Sequence, residues 1–365
     1  MGNLCDYAAD MTASFAERPF DAVDSLLFST LCYLHLDGLV PGLDAPGQSI
    51  TIRELAHPDL RPRLLTRMLE AGDTARLLDM AAGNPRFAGI RLALHVDDFR
   101  PDEKKQFAAL CCLTDDGHCR AVFRGTDSTL PGWRESVSLL SHRQIPAQAA
   151  ASAWLTEVAR LRPEPLTLSG HSKGGNLAVY AAIDAAPDVA ARICRIYAHD
   201  APGFHADILA RPGSAPIAGR IEKTMPRQAI VGLLLELPGP PPRVVRADGF
   251  AAAQHSPFAW VIEGDDFVTE KEVSPFSRAF VHSLMSWRER FNDAELELFF
   301  DALFSLVEAG GIQDFAELAS APRIPLAQVR RALELVTPDQ RRIFAQALRA
   351  LVSSLVGLPA DTDES

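Results

Sequence analysis

Apolar residues recur along this chain first at helical spacing, then at strand spacing, then at helical spacing again. From Phe20 to Leu36, FDAVDSLLFSTLCYLHL places them every three or four positions, with Asp21 or Asp24 suited to open a helix and DGLVPG to close it. HPDLRPRLLTRMLEAGDTARLLDMAAG continues in that mode, so residues 1–85 read as a helical N-terminal region. The runs then shorten. FAGIRLALHVDD, KQFAALCCLT and HCRAVFRGT are brief apolar or alternating stretches, and DDG between the last two predicts a β-hairpin.

Beyond the hairpin come a helix in PAQAAASAWLTEVARLR, the strand PLTLSG, the helix GNLAVYAAIDAAP, and strands in RICRIYAHD, GRIEKTMP and PPRVVRAD. Strands alternating with helices predict an α/β fold, a mostly parallel sheet covered on both faces, over residues 86–282. LPGPPPR is a loop. Residues 283–365 read as a C-terminal helical region, from DAELELFFDALFSLVEAGG through DFAELAS to PLAQVRRALELVTPDQRRIFAQALRALVSSLVGL, with ADTDES as a solvated tail.

Composition narrows the function classes. With 365 residues, 47% hydrophobic and 23% charged, the chain can bury a core without staples. A formal net charge of −11 leaves no broad cationic surface for a phosphate backbone, so nucleic acid is not an expected partner. Cysteines 5, 32, 111, 112, 119 and 194 form no C-x-x-C pair, and Cys111 and Cys112 would face opposite sides of a strand. Neither a bound metal nor a disulfide framework is expected. MGNLCDYAADMTASF lacks the basic start of a signal peptide, and no apolar run is long enough to span a bilayer, which predicts a cytoplasmic protein with reduced thiols.

The chemistry concentrates at LTLSGHSKGGNLAVYAA, residues 166–182. At average composition a chain of this length contains G-x-S-x-G by chance about one time in ten, so the context decides. A buried-looking strand enters, the turn is Gly170-His171-Ser172-Lys173-Gly174-Gly175, and a helix leaves from Asn176. That order is a nucleophile elbow, in which side chains at Gly170 and Gly174 would collide and Ser172 is held at a strained angle. The rival reading is a glycine-rich turn binding a phosphate or nothing, but the G-x-x-x-x-G-K-[ST] phosphate loop is absent.

A serine hydroxyl needs a base, and the base an orienting acid. Four histidines follow the elbow, at 199, 205, 255 and 282. His255, in the long loop ADGFAAAQHSPFAW after RVVRA, is the expected base; His199 and His205 read as surface groups and His282 as a helix-end residue. Asp200 directly follows the strand RICRIYA, at the edge where open parallel sheets place their sites, and is the expected acid, with Glu236 second. The rival for Asp200 is a cap on the turn at Pro202 and Gly203. For the oxyanion hole, Lys173 supplies one backbone N–H by position and Thr126, after the strand in AVFRGTDSTLPGW, supplies the second, its hydroxyl adding a further donor. The rival there is a strand followed by an Asp-rich turn.

FRGT followed by a Trp, combined with GHSxGG, resembles the class 3 lipase branch of α/β-hydrolases. NLCDYAADMTASFAERPFDAVDSLLFSTLCYL, FRGTDSTLPGW, LSGHSKGGNLAVYAA, HDAPGF and QHSPFAW together resemble the bacterial Mbeg-like family, a domain of unknown function with a lipase-like core, from near residue 3 to about 310. The resemblance implies an α/β-hydrolase fold and carries the triad and oxyanion turn onto Ser172, Asp200, His255 and Thr126. Two features depart from the pattern: class 3 lipases take the acid from a D-x-V-P-like turn where this chain has RQAIVG, and the acid expected soon after the Trp falls in Arg134-Glu135-Ser136. The expected activity is hydrolysis of a small-molecule or lipid-like carboxylic ester through an acyl-serine, with no cofactor. The alternatives are a thioesterase or acyltransferase using the same triad, and a non-catalytic protein that binds a partner through its C-terminal helices.

Overall fold

Eight short runs, most of them rich in apolar residues, pair side by side in chain order to form one sheet: β1 (Ile50–Thr51), β2 (Arg91–Arg100), β3 (Lys105–Leu113), β4 (Cys119–Phe123), β5 (Leu166–His171), β6 (Ile193–His199), β7 (Ile221–Pro226) and β8 (Arg243–Val245). This is a computed structural model, and it describes residues 1–66 and 68–309 with isolated positions between 338 and 346. β1 to β4 pair antiparallel, and β4 to β8 pair parallel. The predicted hairpin is the β3–β4 pair, with Leu113 opposite Cys119.

Among the described residues, the helices of seven residues or more are α1 (Leu4–Asp10), α2 (Ala22–Leu31), α3 (Ala71–Gly83), α4 (Leu130–Ser138), α5 (Pro146–Leu161), α6 (Lys173–Asp184), α7 (Pro275–Arg288) and α8 (Asp293–Ala309). Both aspartates at the start of α2 act: the Asp21 carboxylate takes the N–H groups of Val23 and Asp24, and the Asp24 carboxylate takes that of Asp21. The long helical reading of residues 57–83 breaks instead into a turn at Pro58–Leu60, a short helix at Arg61–Leu64 and then α3. Pro58 and Pro62 sit in first turns, which proline starts and does not extend. α4 was not expected; the Thr129 hydroxyl caps it at Gly132 N–H, with Pro131 in its first turn.

Adjacent strand residues sort to opposite faces. Cys111 packs with Phe123, Trp154, Leu168 and Leu177 under α5 and α6, whereas Cys112 packs with Leu26, Leu27, Leu77 and Val122 under α2 and α3. Helices on both faces of this mostly parallel sheet make this an α/β fold. α7 and α8 pack Trp287, Leu296 and Phe299 against Leu140, just past α4. DFAELAS, PLAQVRRALELVTPDQRRIFAQALRALVSSLVGL and ADTDES lie outside the continuously described residues. No helix among the described residues is long and apolar enough to cross a membrane.

Candidate active site

β5 lies at the middle of the sheet between β4 and β6, and its C-terminal end turns directly into α6. Ser172 stands between them with φ +59° and ψ −132°, a conformation that costs a non-glycine residue on the order of 1–3 kcal/mol and persists only where its surroundings enforce it. Here its N–H bonds His199 O at 2.9 Å and its carbonyl takes the Gly175 N–H at 3.0 Å. A Cβ on Gly170 would lie 2.2 Å from the Gly174 carbonyl carbon, and one on Gly174 would lie 2.1 Å from Phe123 O. The glycines therefore let the turn close. The helix begins at Lys173, earlier than Asn176, so the Lys173 N–H is one of the four that α6 leaves without a helical acceptor.

Asp200 is the first residue after β6, as expected, and its buried side chain is fully engaged. Oδ1 accepts the Gly232 N–H at 2.9 Å, and Oδ2 lies 2.6 Å from His255 Nδ1. A carboxylate at Nδ1 fixes the ring so that Nε2 carries the basic lone pair. Asp200 is thus not spent on capping the turn at Pro202 and Gly203. RQAIVG, which lacks the acid of the lipase pattern, instead contributes the Gly232 N–H that holds Asp200. The backbone of Glu236, the second candidate, bridges to that of Phe204.

At the turn after β4, Thr126 is half-buried and its Oγ1 bonds Ser136 Oγ. Ser136 Oγ also bonds Gly132 O at 2.9 Å, so the Thr126 hydroxyl has a hydrogen-bond partner within α4. The Asp-rich turn is real as well: Asp127 takes the Thr129 N–H at 2.8 Å and its hydroxyl at 2.6 Å.

A family model matches residues 81–305, and its description is Mbeg1-like. The chain belongs to the Mbeg1-like family. Solved structures similar to this Mbeg1-like protein include the native Rhizomucor miehei lipase propeptide complex, at 14% identity over 60% of this chain and 66% of that one, TM-score 0.33. Another is a fungal lipase–inhibitor complex, at 12% identity over 57% of this chain and 70% of that one, TM-score 0.33. The Mbeg1-like chain thus spans just under two thirds of the Rhizomucor miehei chain. A comparison with curated proteins gave no match.

Residues of this Mbeg1-like protein that sequence reasoning passed over also lie at the candidate site. His171, inside the elbow, is buried; its Nε2 donates to His255 O at 2.8 Å, and its Nδ1 takes the Tyr33 hydroxyl at 3.0 Å. Its ring centre lies 4.6 Å from that of His255. Desolvation by burial, with His255 and His199 as like-charge neighbours, holds His171 neutral, well below the usual imidazole range. His199 is not a surface group. It is wholly buried, bonded to Thr224 Oγ1 and Ser25 Oγ at 2.6 Å each, and burial pushes it down to about 3. His205 is half-buried and donates to Leu139 O, and His282 lies exposed within α7, away from its ends. Only a buried polar residue inside an apolar strand, His171, offered a sequence signal for any of these.

Proposed function

We propose that this protein is a serine hydrolase that cleaves a small-molecule or lipid-like carboxylic ester. The observation that carries the reading is a serine held at positive φ on a strand–turn–helix elbow, with the Asp200-bonded His255 anchored to the preceding residue of that elbow. A histidine oriented through Nδ1 presents Nε2 for proton transfer, and the serine at the head of α6 lies where the helix dipole favours negative charge.

In the proposed reaction Ser172 Oγ attacks the ester carbonyl as His255 Nε2 takes its proton. The N–H groups of Lys173 and Thr126 receive the charge that develops on the carbonyl oxygen. Collapse of the tetrahedral species breaks the bond to the alkoxide, which leaves with the proton from His255. Water then adds to the acyl-serine by the same path, returning the proton to Ser172 and releasing the carboxylic acid. The Asp200 carboxylate, bonded at Nδ1, stabilises the imidazolium.

A fluorophosphonate probe tests this. The folded wild type is expected to label covalently, Ser172→Ala to lose the label, and His255→Ala to label about 10³-fold more slowly. An unlabelled but folded wild type overturns the reading, and equal labelling of Ser172→Ala moves the nucleophile to another serine.

A further inference from the structure

Lys173 lends its backbone N–H to the proposed reaction, yet its side chain is 1% exposed. Burying an ammonium costs several kcal/mol before its partners offset it, and an apolar side chain often serves packing as well or better. All three Nζ protons are nevertheless met, by Gln106 O at 2.9 Å, Gln106 Oε1 at 2.9 Å and Glu135 Oε2 at 2.7 Å. Glu135 is equally committed. Its Oε2 also takes the Gln106 N–H at 3.1 Å, and its Oε1 takes the Ala147 N–H at 2.9 Å, in the first turn of α5. The next residue of α4 is Ser136, whose hydroxyl is hydrogen-bonded to that of Thr126. Two consecutive residues of one helix therefore grip Lys173 and Thr126, which come from separate segments after β5 and after β4.

We infer that α4 is the bracket of the oxyanion hole, and that Glu135 and Lys173 are positioning residues whose ion pair fixes the spacing of the two N–H donors. The inference rests on the hydrolase reading. An apolar contact at this point would fill the same space but tolerate sliding, whereas three directed bonds from one ammonium do not. An oxyanion donor works only when it lies about 2.7–3.1 Å from the transition-state oxygen, so a small displacement is felt in the rate and not in ground-state binding.

The test uses the full-length chain, a fluorophosphonate and p-nitrophenyl acetate. Glu135→Gln keeps the shape and removes the charge; Lys173→Met combined with Glu135→Leu exchanges the whole pair for apolar side chains. The double variant also strips the Gln106 and Ala147 N–H groups of their acceptor, so it is expected to fold with reduced stability, with KM within about twofold but kcat and the fluorophosphonate rate lower by about 10- to 100-fold. Glu135→Gln is expected to move in the same direction with the same split. Wild-type kcat in a folded double variant, or a rise in KM with kcat unchanged, overturns the inference; if the double variant does not fold, Glu135→Gln decides by the same criterion. A folded wild type that reacts with neither probe overturns the hydrolase reading itself, a failure distinct from the first.

Discussion

Asp200 sits at φ +40°, with its N–H on Thr224 O at 2.7 Å, so the backbone is pinned while each carboxylate oxygen meets its own partner. The aim of the acid is therefore set by backbone groups on both sides. A Cβ on Gly232 would lie 2.4 Å from Asp200 Oδ1, too close for the bond to persist. Gly232→Ala is expected to turn the carboxylate away from His255 and lower kcat for an ester substrate by about 10²-fold, since misplacement of about 1 Å suffices for such a loss. Gly219→Ala, where nothing lies within 4 Å of the added carbon, is the control and should leave kcat unchanged. Wild-type kcat in Gly232→Ala would show that the bond to Oδ1 does not aim the acid.

Elements of this fold are joined by polar pairs that no periodicity reveals. Asp24 in α2 and Arg86 ahead of β2 form an ion pair at 2.5 Å with both side chains 0% exposed, and the Tyr7 hydroxyl from α1 adds a bond to Asp24 at 2.8 Å. Arg86 also reaches Ala13 O and Arg18 O and stacks on Phe15 with 3.9 Å to the ring centre. Asp24→Ala would leave that guanidinium buried and unpaired, with an expected loss of about 3–5 kcal/mol in urea unfolding. Asp24→Leu with Arg86→Met should recover much of it, and equal losses in the two variants would contradict the assignment. The sheet strands from β2 to β8 were legible because alternation or a short apolar run survives in the sequence, and the elbow because its glycines have a steric reason. β1 was too short to read, at two residues. α4 was hidden because its buried positions are Leu130, Gly132 and the charged Glu135, a set with no apolar stripe. Asp200 and His255 could be singled out because each follows a strand of the sheet, whereas His171, Tyr33, Gly232 and Glu135 come to the candidate site through contacts between segments far apart in the chain.

Across the whole molecule, the buried histidines tie stability to pH. Burial pushes His95 down to about 4 and His199 to about 3, and lowers His171 as well, while in the unfolded chain all three titrate near 6.5. Below pH 6.5 the unfolded state therefore binds protons that the folded state refuses, and stability falls with falling pH by about 1.4 kcal/mol per pH unit for each histidine. Asp21 works against them. Burial and the neighbouring Asp24 raise it to about 6, so between its unfolded value and that pH the folded state holds the extra proton and gains on acidification. Burial raises Glu70 in the same sense as Asp21, so three histidines oppose two carboxyls and leave a net loss on acidification from pH 6.5 to about 4, visible as a falling urea midpoint. His199 is the strongest handle on that slope, because it joins α2 through Ser25 to β7 through Thr224 and directly precedes Asp200. His199→Gln removes one titrating group, and the stability of this variant should depend on pH less steeply than the wild type by about 1.4 kcal/mol per unit over the same range. An unchanged slope would mean that His199 takes up its proton in the folded state, and that acid loosens the Asp200 end of β6 by another route.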